Sequence, residues 1–118
     1  MSTQIERATA FHRLHVKGDP VVLFNVWDAG SARAVANAGA TAIATGSWSV
    51  AAAHGCEDGQ ALSLALALEN LSRIVASVSL PVSVDLEAGY GDAPDIVGET
   101  VARAIACARA AAAFVSPI

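Results

Sequence analysis

The sequence predicts an α/β fold in which parallel strands alternate with helices. Three short apolar runs, at residues 21–26, 41–45 and 81–86, are separated by segments with helical periodicity. A strand that is followed by a helix and a further strand of the same sheet is typical of parallel βα units with right-handed crossovers. The hydrophobic fraction is 54% and the charged fraction 15%. Two explanations stay open: a sheet covered on both faces, or part of a larger fold with a broad apolar edge.

The first half of the chain contains two predicted helices and two predicted strands. Residues 3–15 have apolar side chains at helical spacing, and the run 21–26 follows as the first strand. We expect Ser31, or Asp28 shortly before it, to cap a second helix that ends at Gly39. The second predicted strand covers residues 41–45.

The second half begins with a short helix predicted around residues 49–54. Residues 61–78 favour either structure: alternating leucines at 62–68 fit a strand, but the longer apolar pattern has 4-3-4-3 spacing, which predicts a helix. Residues 81–86 are the third strand. Pro94 is well placed in the first turn of another helix, and Phe114 and Val115 are expected to begin a fourth strand.

Charge and composition exclude several classes of protein. The net charge is −4 and no basic stripe is present, so we expect no nucleic-acid partner. No run of 18 apolar residues predicts a membrane span, and the N-terminus does not resemble a secretory signal. Cys56 and Cys107 are too few for a disulfide framework. We therefore expect a cytoplasmic protein with one domain over residues 1–118 and free thiols.

The end of the third predicted strand carries two acidic residues. Asp85 and Glu87 are separated by one residue, so alternation along a strand would direct both side chains to the same side. Hard oxygen ligands directed at one point suit Mg²⁺ or Mn²⁺. The alternative is a pair of surface acids at the end of a strand. Asp58 likewise has a structural alternative, as the N-cap of the next helix.

Three motifs in order resemble the isocitrate lyase / phosphoenolpyruvate mutase superfamily, in particular its short phosphonomutase-like and methylisocitrate lyase-like members. They are residues 25–33 (NVWDAGSAR), 44–47 (ATGS) and 85–91 (DLEAGYG), the last of which ends in a Gly-Tyr-Gly turn (the GYG turn). Members of that superfamily are (β/α)₈ TIM barrels of about 250 residues. The resemblance therefore implies an incomplete barrel, with only its first three to four βα units in this chain.

The resemblance also implies roles for individual residues. Asp85 would bind the metal directly, with Glu87 and Asp58 helping to hold it, in part through water. Thr45, Gly46 and Ser47 would contact a small carboxylate substrate, although Thr45 and Ser47 could instead satisfy backbone groups of the loop. The catalytic residues cannot be named, because the superfamily's later acid, lysine and cysteine positions have no match here.

The implied function is that of a Mg²⁺- or Mn²⁺-dependent lyase or phosphonomutase. Its substrates would be α-oxo acids such as oxaloacetate, isocitrate or a phosphoenolpyruvate-like compound, and the reaction would pass through an enolate. We expect little activity from this short chain alone. The alternative is a non-catalytic barrel fragment that acts only through self-association or a partner, and unpaired strand edges favour a homo-oligomer.

Overall fold

A computed structural model describes residues 3–110 and 115–117 of the chain. Helices and strands follow one another along the chain as predicted, with two consecutive helices between the second and third strands. In chain order they are α1 (Gln4–Arg13), β1 (Phe24–Val26), α2 (Ala29–Asn37), β2 (Ile43–Thr45), α3 (Ser47–Ala53), α4 (Leu64–Ser77), β3 (Val82–Val84), α5 (Pro94–Ala110) and β4 (Val115–Pro117).

The four strands form one parallel sheet in the order β1-β2-β3-β4. Phe24 pairs with Ile43, Ile43 pairs with Val82, and Val82 pairs with Val115, so the first residues of the four strands are aligned across the sheet. Sequential order with parallel pairing is the arrangement of successive βα units in a TIM barrel. The α/β fold class with parallel βα repeats is therefore confirmed.

The hydrophobic core lies between the sheet and helices α2, α4 and α5. Its largest fully buried side chains come from β1, β2 and β3 and from α4: Val26, Ile43, Val82, Leu71, Ile74 and Val75. The 4-3-4-3 pattern therefore predicted the correct structure for residues 64–77, because Leu68, Leu71 and Val75 are buried on one helical face. Leu62 lies before that helix and packs in a smaller cluster with Val50 and Ala51.

Several predicted boundaries were wrong by a few residues. Each strand is only three residues long, so the outer residues of the predicted runs lie outside the paired segments. The helix predicted around 49–54 begins at Ser47. Phe114 lies outside the described residues. Within the described part of the chain, no helix is both long enough and apolar enough to cross a membrane.

The helix caps decide between the alternatives at two positions. Of the two candidate caps of α2, Asp28 fills the position: its carboxylate accepts a hydrogen bond from the Ser31 backbone N–H at 2.7 Å, while the Ser31 side chain completes a capping box. Ser63 caps α4, so Asp58 does not fill the capping position that was its structural alternative. Gly39 has a φ of +104°, which is the left-handed conformation expected just after a helix.

Candidate functional site

A pocket opens beyond the carboxyl ends of β2 and β3. Its polar lining includes Thr45, Ser47, Asp85, Glu87 and Tyr90. Its apolar lining includes Val50, Ala51, Leu62, Leu71, Val84 and Leu86. In parallel α/β folds this edge of the sheet carries the chemistry, so the pocket is the natural place for a functional site.

Asp85 is held in the pocket by three hydrogen bonds. Its backbone N–H donates to Thr45 Oγ1 at 3.0 Å. Its two carboxylate oxygens accept from backbone N–H groups, Oδ2 from Ser47 at 3.2 Å and Oδ1 from Glu87 at 2.8 Å. The Thr45 hydroxyl thus satisfies a loop backbone group, as the structural alternative for that residue states. The backbone N–H groups of Ser47, after β2, and of Glu87, after β3, together fix the Asp85 carboxylate in one orientation.

Asp85 and Glu87 reach the same pocket by a different route from the one predicted. Both lie beyond β3, which ends at Val84, so strand alternation does not apply to them. Glu87 instead adopts a left-handed backbone conformation with a φ of +54°. The turn, rather than the pleat of a strand, brings the two carboxylates to one side.

Asp58 joins the site from the loop between α3 and α4. Its carboxyl group contacts the Glu87 side chain and the Ser47 hydroxyl, and these hydrogen-bonding contacts, Glu87 first, hold its pKa below the ordinary value of 3.8. The neighbouring Gly59 N–H donates to Glu87 Oε1 at 2.9 Å. Two carboxyl groups in contact repel each other when both are ionised, unless a proton or a cation lies with them.

The donor set suits a hard divalent cation. Carboxylate and hydroxyl oxygens from Asp58, Glu87 and Ser47 lie together, and Asp85 lines the same pocket. Across residues 3–110 and 115–117, no three His, Cys, Asp or Glu side chains lie close enough to share one ion directly. This arrangement still fits Mg²⁺, which is commonly bound by one or two carboxylates and keeps several waters.

Tyr90 is a site residue that the sequence indicated only as part of a turn. Its pKa is raised to about 12, first by burial and then by the negative charge and hydrogen bonding of Glu87, with a smaller effect of Asp85. The phenol is therefore protonated at neutral pH. Its backbone N–H donates to Gln60 Oε1 at 2.8 Å. No sequence signal pointed to Gln60, because its partner is 30 residues away.

The two glycines of the GYG turn allow the loop to pass close to α5. Gly89 has a φ of +88°, and a Cβ atom there would lie 2.7 Å from Val97 Cγ1. A Cβ atom on Gly91 would overlap the Ile96 side chain. Residues without side chains are therefore needed on both sides of Tyr90. This close approach sets where Tyr90 and Glu87 stand relative to the pocket.

The sequence model of the phosphoenolpyruvate phosphomutase family matches residues 11–114. The chain belongs to this family. The match covers most of the chain and includes every residue of the pocket described above. The family assignment agrees with the resemblance that the three motifs indicated.

Solved structures of the phosphoenolpyruvate phosphomutase family agree with the fold. A candidate phosphonomutase from Burkholderia cenocepacia J2315 is 58% identical, with a TM-score of 0.84, and the match covers 86% of this chain and 42% of that one. A 2,3-dimethylmalate lyase described as a member of the PEP mutase/isocitrate lyase superfamily is 28% identical, with a TM-score of 0.69, over 91% of this chain and 37% of the other.

A curated relative is likewise much longer than this chain. The uncharacterised protein Rv1998c of Mycobacterium tuberculosis is 40% identical over 94 residues, which are 80% of this chain and 36% of the relative. The chain thus spans about two fifths of the length of the family members that it matches.

Proposed function

We propose that this chain forms the metal-binding and oxyanion-binding part of an active site that stabilises the enolate of a small α-oxo acid. The observation that supports the proposal is the convergence of Asp85, Glu87 and Asp58 with Ser47 on one pocket at the carboxyl ends of β2 and β3. The family supports the general class of lyase or phosphonomutase chemistry. Oxaloacetate, isocitrate and phosphoenolpyruvate-like compounds are the substrates that we propose.

Mg²⁺ or Mn²⁺ would be held directly by Asp85, with Glu87 and Asp58 helping to hold it through bound water. When bound, such an ion acts as a Lewis acid that stabilises negative charge on an enolate oxygen. The chain's own residues prepare its place: Thr45 Oγ1 fixes the Asp85 backbone, and the Ser47 and Glu87 N–H groups orient the Asp85 carboxylate. The left-handed turn at Glu87 places its carboxylate next to Asp58.

Substrate contacts are proposed for Thr45, Gly46 and Ser47. Gly46 directly precedes Ser47, and a Cβ atom there would come within 3.2 Å of Asn25 Nδ2 and 3.3 Å of Ser49 Oγ, so a side chain at this position would crowd both neighbours. The protonated Tyr90 phenol, which lines the same pocket, can donate a hydrogen bond to an anionic group.

Asp85→Ala tests the metal site. We expect Mn²⁺ affinity to fall by at least about tenfold, because the ion loses a ligand and the Ser47 and Glu87 N–H groups lose the carboxylate to which they donate. Electron paramagnetic resonance of the free ion measures this affinity. Glu99→Ala is the control, since it removes an equal charge from an exposed position of α5. Equal Mn²⁺ affinity in the Asp85→Ala and parent chains would contradict the proposal.

Turnover by the 118-residue chain alone is expected to be absent even with Mg²⁺. The pocket supplies acids and hydrogen-bond donors, whereas the only lysine of the sequence, Lys17, is exposed in the segment after α1. Oxaloacetate and methylisocitrate are suitable assay substrates. A rate of about 1 to 1,000 per second, which is ordinary for enzymes, would contradict this expectation.

A second candidate function is association through the open edge of the sheet. β1 pairs only with β2 among the described strands, and its Phe24 is 52% exposed, with Val22 beside the strand 60% exposed. Exposed apolar edge strands pair readily with another chain. We propose a second copy of this chain as the partner, with sedimentation equilibrium as the measurement.

A further inference from the structure

Two loops of the site are joined by a reciprocal pair of hydrogen bonds. The loop before α4 provides Gly59 and Gln60, and the loop after β3 provides Glu87 and Tyr90. The Gly59 N–H donates to Glu87 Oε1 at 2.9 Å, and the Tyr90 N–H donates to Gln60 Oε1 at 2.8 Å. Each loop therefore gives one backbone donor and one side-chain acceptor. We call these four residues the loop clasp.

The loop clasp contains the unusual backbone conformations of the site. Gln60, Glu87 and Tyr90 have φ values of +67°, +54° and +59°, and they are the non-glycine residues with positive φ in the described part of the chain. Left-handed conformations are unfavourable for residues with side chains, and they persist where surrounding contacts hold them. Because all three residues belong to the clasp, its hydrogen bonds are the contacts that can hold these conformations.

Gln60 differs from its partners in the clasp. Glu87 and Tyr90 line the pocket, but Gln60 is exposed and is not among the lining residues. Its amide oxygen meets the backbone of Tyr90 rather than the interior of the site. Asp58, two residues before Gln60, contacts the Glu87 side chain. The clasp thus connects the backbone segments that carry Asp58 and Glu87.

We propose that Gln60 is a positioning residue. By accepting the Tyr90 N–H, it holds the loop after β3 in the left-handed conformation that places the Glu87 carboxylate beside Asp58. The inference rests on the proposed function, in which Glu87 and Asp58 help to hold a divalent cation. Preorganised ligands lose less freedom when the ion binds, so Gln60 strengthens cation binding without contacting the ion itself.

A pair of substitutions separates the role of the acceptor oxygen from that of side-chain size. Gln60→Met keeps the length of the side chain and removes the oxygen, whereas Gln60→Glu keeps an acceptor at the same reach. Amide hydrogen exchange of Tyr90, followed by nuclear magnetic resonance, measures the clasp in the metal-free chain. Titration with Mn²⁺, followed by electron paramagnetic resonance, measures cation affinity.

We expect Gln60→Met to speed exchange of the Tyr90 amide by about two- to tenfold, as the loss of one hydrogen bond implies. Mn²⁺ affinity should fall by about tenfold or more, which is the usual effect of removing a group that orients a metal ligand. Gln60→Glu, which keeps an acceptor oxygen, should keep the slow exchange of the Tyr90 amide and the Mn²⁺ affinity of the parent chain. The Ile43 amide, which donates to the Pro81 carbonyl in the sheet, should exchange at the parent rate in both variants.

Unchanged Tyr90 exchange in Gln60→Met would overturn the inference, and so would faster Tyr90 exchange with unchanged Mn²⁺ affinity. Faster exchange at Ile43 as well would also overturn it, because the effect would then be general destabilisation. Failure of the proposed function has a different signature, since Asp85→Ala would bind Mn²⁺ as tightly as the parent chain whatever happens at Tyr90.

Discussion

Tyr90 shows how neighbouring charges change the chemistry of one residue. It is the only tyrosine in the chain, and burial together with Glu87 and Asp85 raises its pKa to about 12. The sequence identified its position within the GYG turn but gave no sign of these contacts. Its ionisation can be followed without interference from another phenol.

The absorbance of the Tyr90 phenolate at high pH gives the first prediction at this scale. We expect it to appear near pH 12 in the folded chain and near pH 10 in urea. Because the folded pKa lies above the unfolded one, the neutral phenol stabilises the fold fully below about pH 10, and this contribution is lost as the pH rises toward 12.

Glu87→Gln is the matched variant for this titration. It removes the nearby negative charge, so the folded pKa of Tyr90 should move back toward 10. Burial keeps part of the shift in the variant. A folded pKa near 10 in the parent chain would contradict the proximity of Tyr90 to Glu87.

At the scale of elements, the local sequence predicted whether a segment is a helix or a strand more reliably than it predicted the first and last residues of that segment. The α4 segment carried two competing patterns, and the helix prevailed because its 4-3-4-3 face packs Leu68, Leu71 and Val75 into the core. The first strand was shorter than its apolar run, since pairing with β2 begins only at Phe24. Hydrophobicity marked that run, but inter-strand pairing sets where a strand ends.

The Asp28 cap of α2 gives a prediction for an element. Asp28→Ala should lower the free energy of unfolding at pH 7, measured by urea denaturation, by about 1 kcal/mol, because the Ser31 N–H loses its acceptor. Asp28→Asn keeps an acceptor and should cost less. A larger loss in Asp28→Asn than in Asp28→Ala would contradict this role.

The pH dependence of the same cap has a defined sign. Hydrogen bonding from the Ser31 backbone, followed by the Ser31 side chain, lowers the pKa of Asp28 from 3.8. A lowered folded pKa stabilises the fold above the unfolded value of 3.8, and this stabilisation is lost as the pH falls through the folded value. The difference between the parent chain and Asp28→Ala should therefore shrink below about pH 4.

At the scale of the whole molecule, the described sheet has an open edge at β1. The chain spans 42% of a family member to which it is 58% identical, and that relative continues beyond the matched part. Within the described residues, Phe24 and Val22 are apolar groups that a further strand or a second copy would cover. Whether a second copy covers this edge can therefore be measured directly.

Phe24→Lys tests association through that edge. If a second copy covers β1, sedimentation equilibrium should show an oligomer for the parent chain and a monomer for Phe24→Lys, because a charge on an edge strand opposes pairing. Leu66→Lys is the control, since Leu66 is 45% exposed but lies on α4. A monomeric parent chain, or equal dissociation of both variants, would contradict the second candidate function.

The sequence by itself determined the order and type of the elements and the family, and it singled out the acids at residues 58, 85 and 87 as candidate metal ligands. It could do so because apolar periodicity and short motifs are local properties of the chain. Tertiary structure alone decided how those acids meet. The left-handed turn at Glu87 and the contacts of Gln60 with Tyr90 join loops about 30 residues apart. Backbone conformation at such places is set by hydrogen bonds between distant segments, which no local pattern records.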